Sequence, residues 1–300
     1  MSVPEHVRAA VVAGLATKPP SRDARGRMRI GHAVRRPMPR AKFPRAVEAD
    51  YATAIVSLVH GALRTAIVPL MRRMPALLER ARAARGDRGD AFETDELTSL
   101  IDGTARSLST ALDTHSVELL ARRYGAQTSA TQRAELSRQT RAVLGVDIAT
   151  LDRKVPTLID HFSAENAQLI KSLGEAARGD VAKIASRAFT SGATVDDLTS
   201  DIEDRFGVVE RHARLIARDQ VGKLNGKIAA ARHQELGVTR FYWRDCGDGK
   251  VRPEHEDLAS GGPYSYADPP SEGIPGVPAC CRCSADPVLA DVLGSIGDDE

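Results

Sequence analysis

From Tyr51 to Leu236 the apolar residues of this chain recur at three- and four-residue spacing, and at Gly237 the pattern stops. A period near 3.6 puts such residues on one face of a helix, so most of the chain must fold as helices burying a stripe, and the remainder by other means. The first stripe runs through Tyr51, Ile55, Leu58, Val59, Ala62, Leu63, Ala66, Ile67 and Leu70. Pro69 and Pro75 are expected to kink or end that helix, because proline lacks the amide N–H and crowds the preceding turn. A polar stretch, Arg85 to Asp90, precedes a second stripe of Leu97, Ile101, Leu108, Leu112, Leu119 and Leu120, expected to pair antiparallel with the first. After Gly125, Ser129 or Thr131 offers an N-cap for a short third helix ending near Leu144 and Gly145.

Pro156 marks the next boundary, followed by Leu158, Ile159, Phe162, Leu169, Ile170 and Leu173, then Val181, Ile184, Ala185 and Ala188 up to a stop at Ser191-Gly192. Thr194 with Asp197 resembles a capping box with Asp in place of Glu or Gln. It opens a helix through Leu198 and Ile202 that Phe206 and Gly207 are expected to close. The last long helix, Val209 to Leu236, would turn Ala213, Ile216, Ala217, Leu224, Ile228 and Ala231 inward and a mostly basic remainder outward, with Gly237 as its end. Only 4% of residues are aromatic, while Ala, Arg and Leu are the commonest types, a balance that favours helix over sheet. Past Gly237, a β-favoured run, Val238, Phe241, Tyr242 and Trp243, gives way to a crowd of Gly and Pro. The expected fold is mainly α: an extended helical body with a small C-terminal α+β, loop-rich module. Its divisions are a basic, Pro-rich arm (1–45), a helical N-terminal region (46–150), a helical body (151–237), a Cys/His module (238–290) and an acidic tail (291–300).

The arm holds six prolines, and residues 22–45 carry nine Arg or Lys against one acid, Asp23. It is expected to be extended, mobile and coreless. Arg25, Arg27, Arg29, Arg35, Arg36 and Arg40 are its candidate contacts to nucleic-acid phosphates or to an acidic protein surface, and a solubilising tail is an equal reading. No apolar run approaches the roughly 20 residues of a membrane span, and the N-terminus lacks the order of a signal peptide, so a soluble, cytoplasmic chain without membrane partners is expected.

All four cysteines lie in the C-terminal quarter, in the spacing C-x8-H-x24-C-C-x-C. Soft thiolates and an imidazole in a module with little core suit a structural Zn²⁺. The candidate ligands are Cys246, His255, Cys281 and Cys283, with Asp248 as a substitute for Cys246. The spacing matches no standard zinc finger, and small buried thiols beside a hydrogen-bonded histidine remain the other reading. Asp248 and Arg252 are close enough in sequence to pin their loop as a bidentate pair. A His base acting with a Cys nucleophile is the catalytic alternative, but no oxyanion loop, phosphate loop or carboxylate dyad accompanies it. Trp243, the one tryptophan, is expected to anchor the module's core.

The residues from Ala213 to Gln220, then Gly237-Val238, the aromatic run to Trp243, Asp245 to His255, Leu258, Pro275 to Pro278 and Cys281-Arg282-Cys283 stand in an order that resembles the Mu F-like head morphogenesis family, the minor head proteins of tailed bacteriophages. The resemblance is specific over the last 80 or so residues and softer upstream, where Asn166, Leu169, Ile170 and the Tyr51 helix fit the general layout. It leaves the arm before Pro44 uncovered. It implies a protein present in few copies in the procapsid, associated with the portal, and needed for head assembly or for routing the genome at ejection. It implies no established reaction. Within the motif, Arg218, Asp219 and Gln220 are expected to be architectural, with Asp219 and Gln220 docking the long helix onto the module. Cys246 stands where the family commonly has a small polar residue, and Cys280 is an extra cysteine, so the resemblance assigns neither a role. Some members continue into an effector domain, for which the 17 residues after Cys283 are expected to leave no room.

The resulting expectation is a non-enzymatic phage head protein, located in the virion and in the host cytoplasm during assembly, with the portal, other capsid proteins and phage DNA as partners. A DNA-binding protein using the basic arm, and a thiol- or metal-dependent hydrolase, are the alternatives.

Overall fold

The computed structural model describes residues 4–9, 38–84, 92–145, 147–148 and 152–289. Its helices are α1 (Arg45–Ala84), α2 (Phe92–Ala111), α3 (Thr114–Leu144), α4 (Val155–Ser191), α5 (Val195–Glu235) and α6 (Pro253–Ser260). A three-stranded antiparallel sheet is built from β1 (Arg240–Arg244), β2 (Tyr264–Ser265) and β3 (Ser284–Pro287), in the order β2-β1-β3. Residues 5–9 add one helical turn. The fold is thus mainly α with a small C-terminal α+β module, as the periodicities imply.

Several boundaries differ from the sequence expectation, each for a local reason. The helix α1 passes through both Pro69 and Pro75. Both prolines lie on its exposed face, where water can satisfy the carbonyls that lose a partner, while the buried stripe from Tyr51 to Leu78 holds the helix in register. The second stripe is split at Leu112-Asp113 into α2 and α3, because the Asp113 carboxylate accepts the Ser116 N–H at 3.0 Å and opens a new helix. Leu119, counted in that stripe, is 53% exposed. No helix starts at Ser129 or Thr131: α3 runs on to Leu144, and the Thr128 and Thr131 hydroxyls donate back to Tyr124 O and Gln127 O. Likewise α5 runs straight through Phe206 and Gly207. Phe206 is tied instead to α1, its ring edge-on to His60 at 4.8 Å. The Thr194 and Asp197 box forms as expected, with Asp197 N–H donating to Thr194 Oγ1 and Thr194 N–H to Asp197 Oδ2.

The chain divides into two compact units, each drawn from several segments. One comprises residues 48–122 and 163–218. Its core joins Leu70, Met74 and Leu77 of α1 with Leu97 of α2, Val181 and Ala185 of α4, and Leu198 and Ile202 of α5. The Tyr51 hydroxyl donates to Asn166 Oδ1 at 2.9 Å within it. An 18-residue window inside Arg45–Ala83 has a mean hydropathy of 1.6, long and apolar enough to cross a membrane by length and composition, contrary to the expectation that no run came near. The helix buries Ile55, Val59, Leu63, Ile67 and Leu70, which make up part of that window, while Val68 is exposed together with Thr53, Ser57, Arg64, Thr65, Arg72 and Arg73.

The other unit comprises residues 1–47, 123–162 and 219–300. The C-terminal half of α5 runs through it buried on nearly every side, including Gly222, Gly226, Arg232 and His233, so its remainder is not the solvated basic face expected. Nor are the described parts of the arm without a core. Val7 is fully buried with Leu136, Val143, Leu236, Val238 and Leu289, and Met38 packs on that cluster. The Pro39 and Arg40 carbonyls accept bonds from Gln139 and Arg138. Arg25, Arg27, Arg29, Arg35 and Arg36, the Arg85–Asp90 stretch and the acidic tail lie outside the described residues.

Candidate functional site

Alternation along β1 sets up the module. Phe241 and Trp243 point inward and Tyr242 outward, and β1 pairs with β3 from Phe241↔Pro287 to Arg244↔Ser284. The short α6 starts at Pro253, a residue suited to a first helical position because its missing N–H would be unpaired there, and it buries one side chain, His255. The segment leading into β3 brings Cys281 and Cys283 to the same point, so these three side chains converge with all their ligand atoms within 4.8 Å of one another. His255 Nδ1 lies 3.7 Å from Cys281 Sγ and 3.5 Å from Cys283 Sγ, and each residue is 5% exposed or less.

The surroundings fix the chemistry of this cluster. His255 Nε2 is 3.3 Å from Glu272 Oε2, so with Nε2–H donating to the carboxylate, the Nδ1 lone pair faces the two sulfurs. The Cys281 thiol is lowered to about 6, first by a hydrogen bond from Cys283 and then by backbone N–H groups of Cys283 and Gly276, against the opposing effect of burial. Cys283 is pushed the other way by the same bond and by burial. Together they behave as one thiolate holding one thiol. Trp243 stacks obliquely on His255, ring centroids 5.0 Å apart, and its Nε1–H is buried with no oxygen or nitrogen partner, close enough to Cys283 to favour that residue's thiolate.

The fourth expected ligand is not in the cluster. The Cys246 thiol donates to Asp248 Oδ1 at 3.3 Å, and burial raises it. Asp248 pairs with Arg282 rather than with Arg252, whose guanidinium donates to Ala279 O at 2.6 Å. Asp219 of α5 accepts the Cys280 N–H at 2.9 Å and Lys223 Nζ at 2.6 Å, while Gln220 Nε2 donates to Asp219 at 3.2 Å. Arg218 pairs with Glu48 at 3.3 Å. That pair borders a separate groove of about 480 Å³ in the other unit, where Arg214 is likewise paired with Glu210.

Three features of this neighbourhood escape sequence reading. Gly222 and Gly226 give α5 a flat face against which the Pro275-Gly276 backbone lies: a Cβ at Gly226 would sit 2.3 Å from Pro275 O, and one at Gly222 2.8 Å from Cys281 O. Two glycines four apart in a helix were the available signal. Arg232 is fully buried and donates to both Asp152 oxygens at 2.8 and 3.0 Å, to Ser129 O and to Ser129 Oγ. It sits four residues after Ile228 on the inward stripe, which marks it as a buried charge. His233 Nδ1 lies 2.6 Å from the Tyr266 hydroxyl, and burial drops the imidazole to about 3, so the neutral ring accepts the phenol proton. Nothing in the spacing announced that bond.

Comparison with known proteins agrees with the resemblance read from the sequence. Residues 180–286 match the family model described as Phage Mu protein F like protein, a span beginning upstream of the Ala213 motif and ending within β3. An uncharacterized protein of Haemophilus influenzae is 32% identical over 180 residues, which is 59% of this chain and 40% of that protein; the chain therefore spans well under half of this relative's length. No solved structure matches. The similarity to the Phage Mu protein F like family thus lies in residues 180–286, from the second half of α4 into β3.

Proposed function

We propose that this chain is a minor head protein of a tailed phage or prophage that acts in procapsid assembly at the portal vertex. The observation that carries the reading is the family match over residues 180–286, which includes the α5 segment and the module docked on it. The geometry supports an architectural role for that match. Asp219 holds the Cys280 backbone, Gly222 and Gly226 seat the Pro275 loop, and the Cys/His cluster is closed inside the module. These are contacts that fix one surface relative to another. We assign the chain no reaction.

The test uses the phage that encodes the chain. An early stop codon is expected to reduce the yield of filled heads, and the intact protein is expected to co-purify with portal-containing procapsids at a few copies per particle. Replacing Arg25, Arg27, Arg29, Arg35 and Arg36 by Gln, which keeps the buried Val7 and the packed Met38, should leave that association in place. Absence from purified heads, with normal head yield in the stop mutant, would sink the proposal. Association lost with those five arginines and falling steeply with salt would favour the alternative, a DNA-binding protein that works through its basic arm.

A further inference from the structure

We propose that His255, Cys281 and Cys283 bind a thiophilic divalent cation, Zn²⁺ in the cell, which locks α6, the 270s loop and the start of β3 together. The spacing of the donors is the first argument. A tetrahedral zinc with bonds of about 2.0–2.1 Å to nitrogen and about 2.3 Å to sulfur sets its nitrogen and sulfur ligands about 3.6 Å apart. The two distances from His255 Nδ1 are 3.7 and 3.5 Å, so the nitrogen–sulfur edges of that tetrahedron already exist. Two sulfurs and one imidazole are also the donor set that selects zinc over magnesium or calcium, whose preferred ligands are oxygens.

The shell around the donors is the second argument. Glu272 on Nε2 is the carboxylate–histidine arrangement that fixes a ligating ring and presents Nδ1 as the donor. Trp243 Nε1–H, buried and unpartnered, lies beside Cys283, where a metal-bound thiolate would accept it; a neutral thiol is a much poorer acceptor. The third argument is need. The module's own core consists of Phe241, Trp243, Cys281, Cys283 and Ala285 with a few half-buried neighbours, and small modules of this kind are commonly stabilised by a metal. Neither Cys246, engaged with Asp248, nor Cys280 belongs to the cluster.

The experiment is anaerobic titration of the reduced, metal-stripped full chain with Co²⁺, followed by Zn²⁺. One equivalent of Co²⁺ is expected to give sulfur-to-cobalt charge-transfer absorption, quench the fluorescence of Trp243, the sole tryptophan, and be displaced by Zn²⁺. Cys281→Ser, Cys283→Ser and His255→Gln should each abolish stoichiometric binding, while Cys246→Ser and Cys280→Ser keep it. Should the ligand variants fail to fold, Glu272→Gln retains every donor and should weaken Co²⁺ binding by about 10–100-fold. The proposal is overturned if the reduced wild type binds no equivalent of Co²⁺, if binding survives loss of Cys281 or Cys283, or if it follows Cys246 or Cys280 instead. Failure of metal binding would leave the head-assembly reading untouched, since that reading is tested on procapsids.

Discussion

Replacing Gly226 by Ala separates packing from helix propensity. In an exposed helix interior the change is favourable, because glycine is about 0.8–1.0 kcal/mol worse than alanine there. At Gly226 the new Cβ would stand 2.3 Å from Pro275 O and 3.3 Å from Gly276 Cα. Both neighbours are backbone, so no side chain can swing aside, and the loop must retreat by about 0.7 Å even to reach the 3.0 Å that Cβ contacts essentially never undercut. Overpacking of this kind costs about 1–3 kcal/mol, and the rigid surroundings put this case toward the upper end. After the propensity gain, Gly226→Ala should lose about 1–2 kcal/mol. Gly179→Ala is the matched control, because that glycine lies inside α4 and a Cβ added there would meet nothing within 4 Å, and it should gain up to about 1 kcal/mol. Urea unfolding followed through Trp243 fluorescence reads the first variant, and far-UV circular dichroism reads the second. If Gly226→Ala proves as stabilising as Gly179→Ala, the loop does not lie on α5 as described, and the docking of the module is wrong.

Asp219→Ala should remove the acceptor of the Cys280 N–H and the partner of Lys223, costing about 1–2 kcal/mol, and amide exchange at Cys280 should quicken; unchanged exchange there would contradict the role given to Asp219. Arg232→Ala should cost about 3 kcal/mol in denaturant unfolding, the low end for breaking a buried pair because Arg133 still pairs with Asp152, and a loss under 1 kcal/mol would refute the buried network. His233 binds its proton only near pH 3 in the folded protein, against about 6.5 when unfolded, so between those values the unfolded chain takes up more protons and stability falls as the pH drops. At pH 5 that loss is about 2 kcal/mol, partly offset at lower pH by Asp286, whose carboxyl burial raises; a His233→Gln chain whose stability keeps the wild-type slope between pH 6.5 and 5 would assign the effect elsewhere.

Where helices lie was legible wherever the apolar stripe was long and its ends carried a chemical signal, as at Thr194 with Asp197 and at Gly145, Gly192 and Gly237, all three glycines at positive φ. Interior breaks are decided by the packing around a residue more than by the residue itself. Pro69, Pro75 and Gly207 look like stops locally, yet the buried stripes on either side carry the helix across them, while Asp113, an ordinary-looking residue, starts a new one.

Sequence alone determined the helical majority, the change of character at Gly237, the Mu F-like motif, and the candidacy of His255, Cys281 and Cys283. Each of these depends on residue type and short-range spacing, which a linear chain states directly. Tertiary structure decided that Cys246 turns to Asp248, that Arg252 and Asp248 have different partners, and that a carboxylate from Glu272 stands behind His255. It also decided that Arg232 is satisfied at full burial and that two glycines of α5 carry a loop. Apart from the local Cys246–Asp248 bond, those outcomes depend on groups that meet across sequence separations of 17 to 103 residues, and an amphipathic stripe identifies a buried face without naming what will cover it.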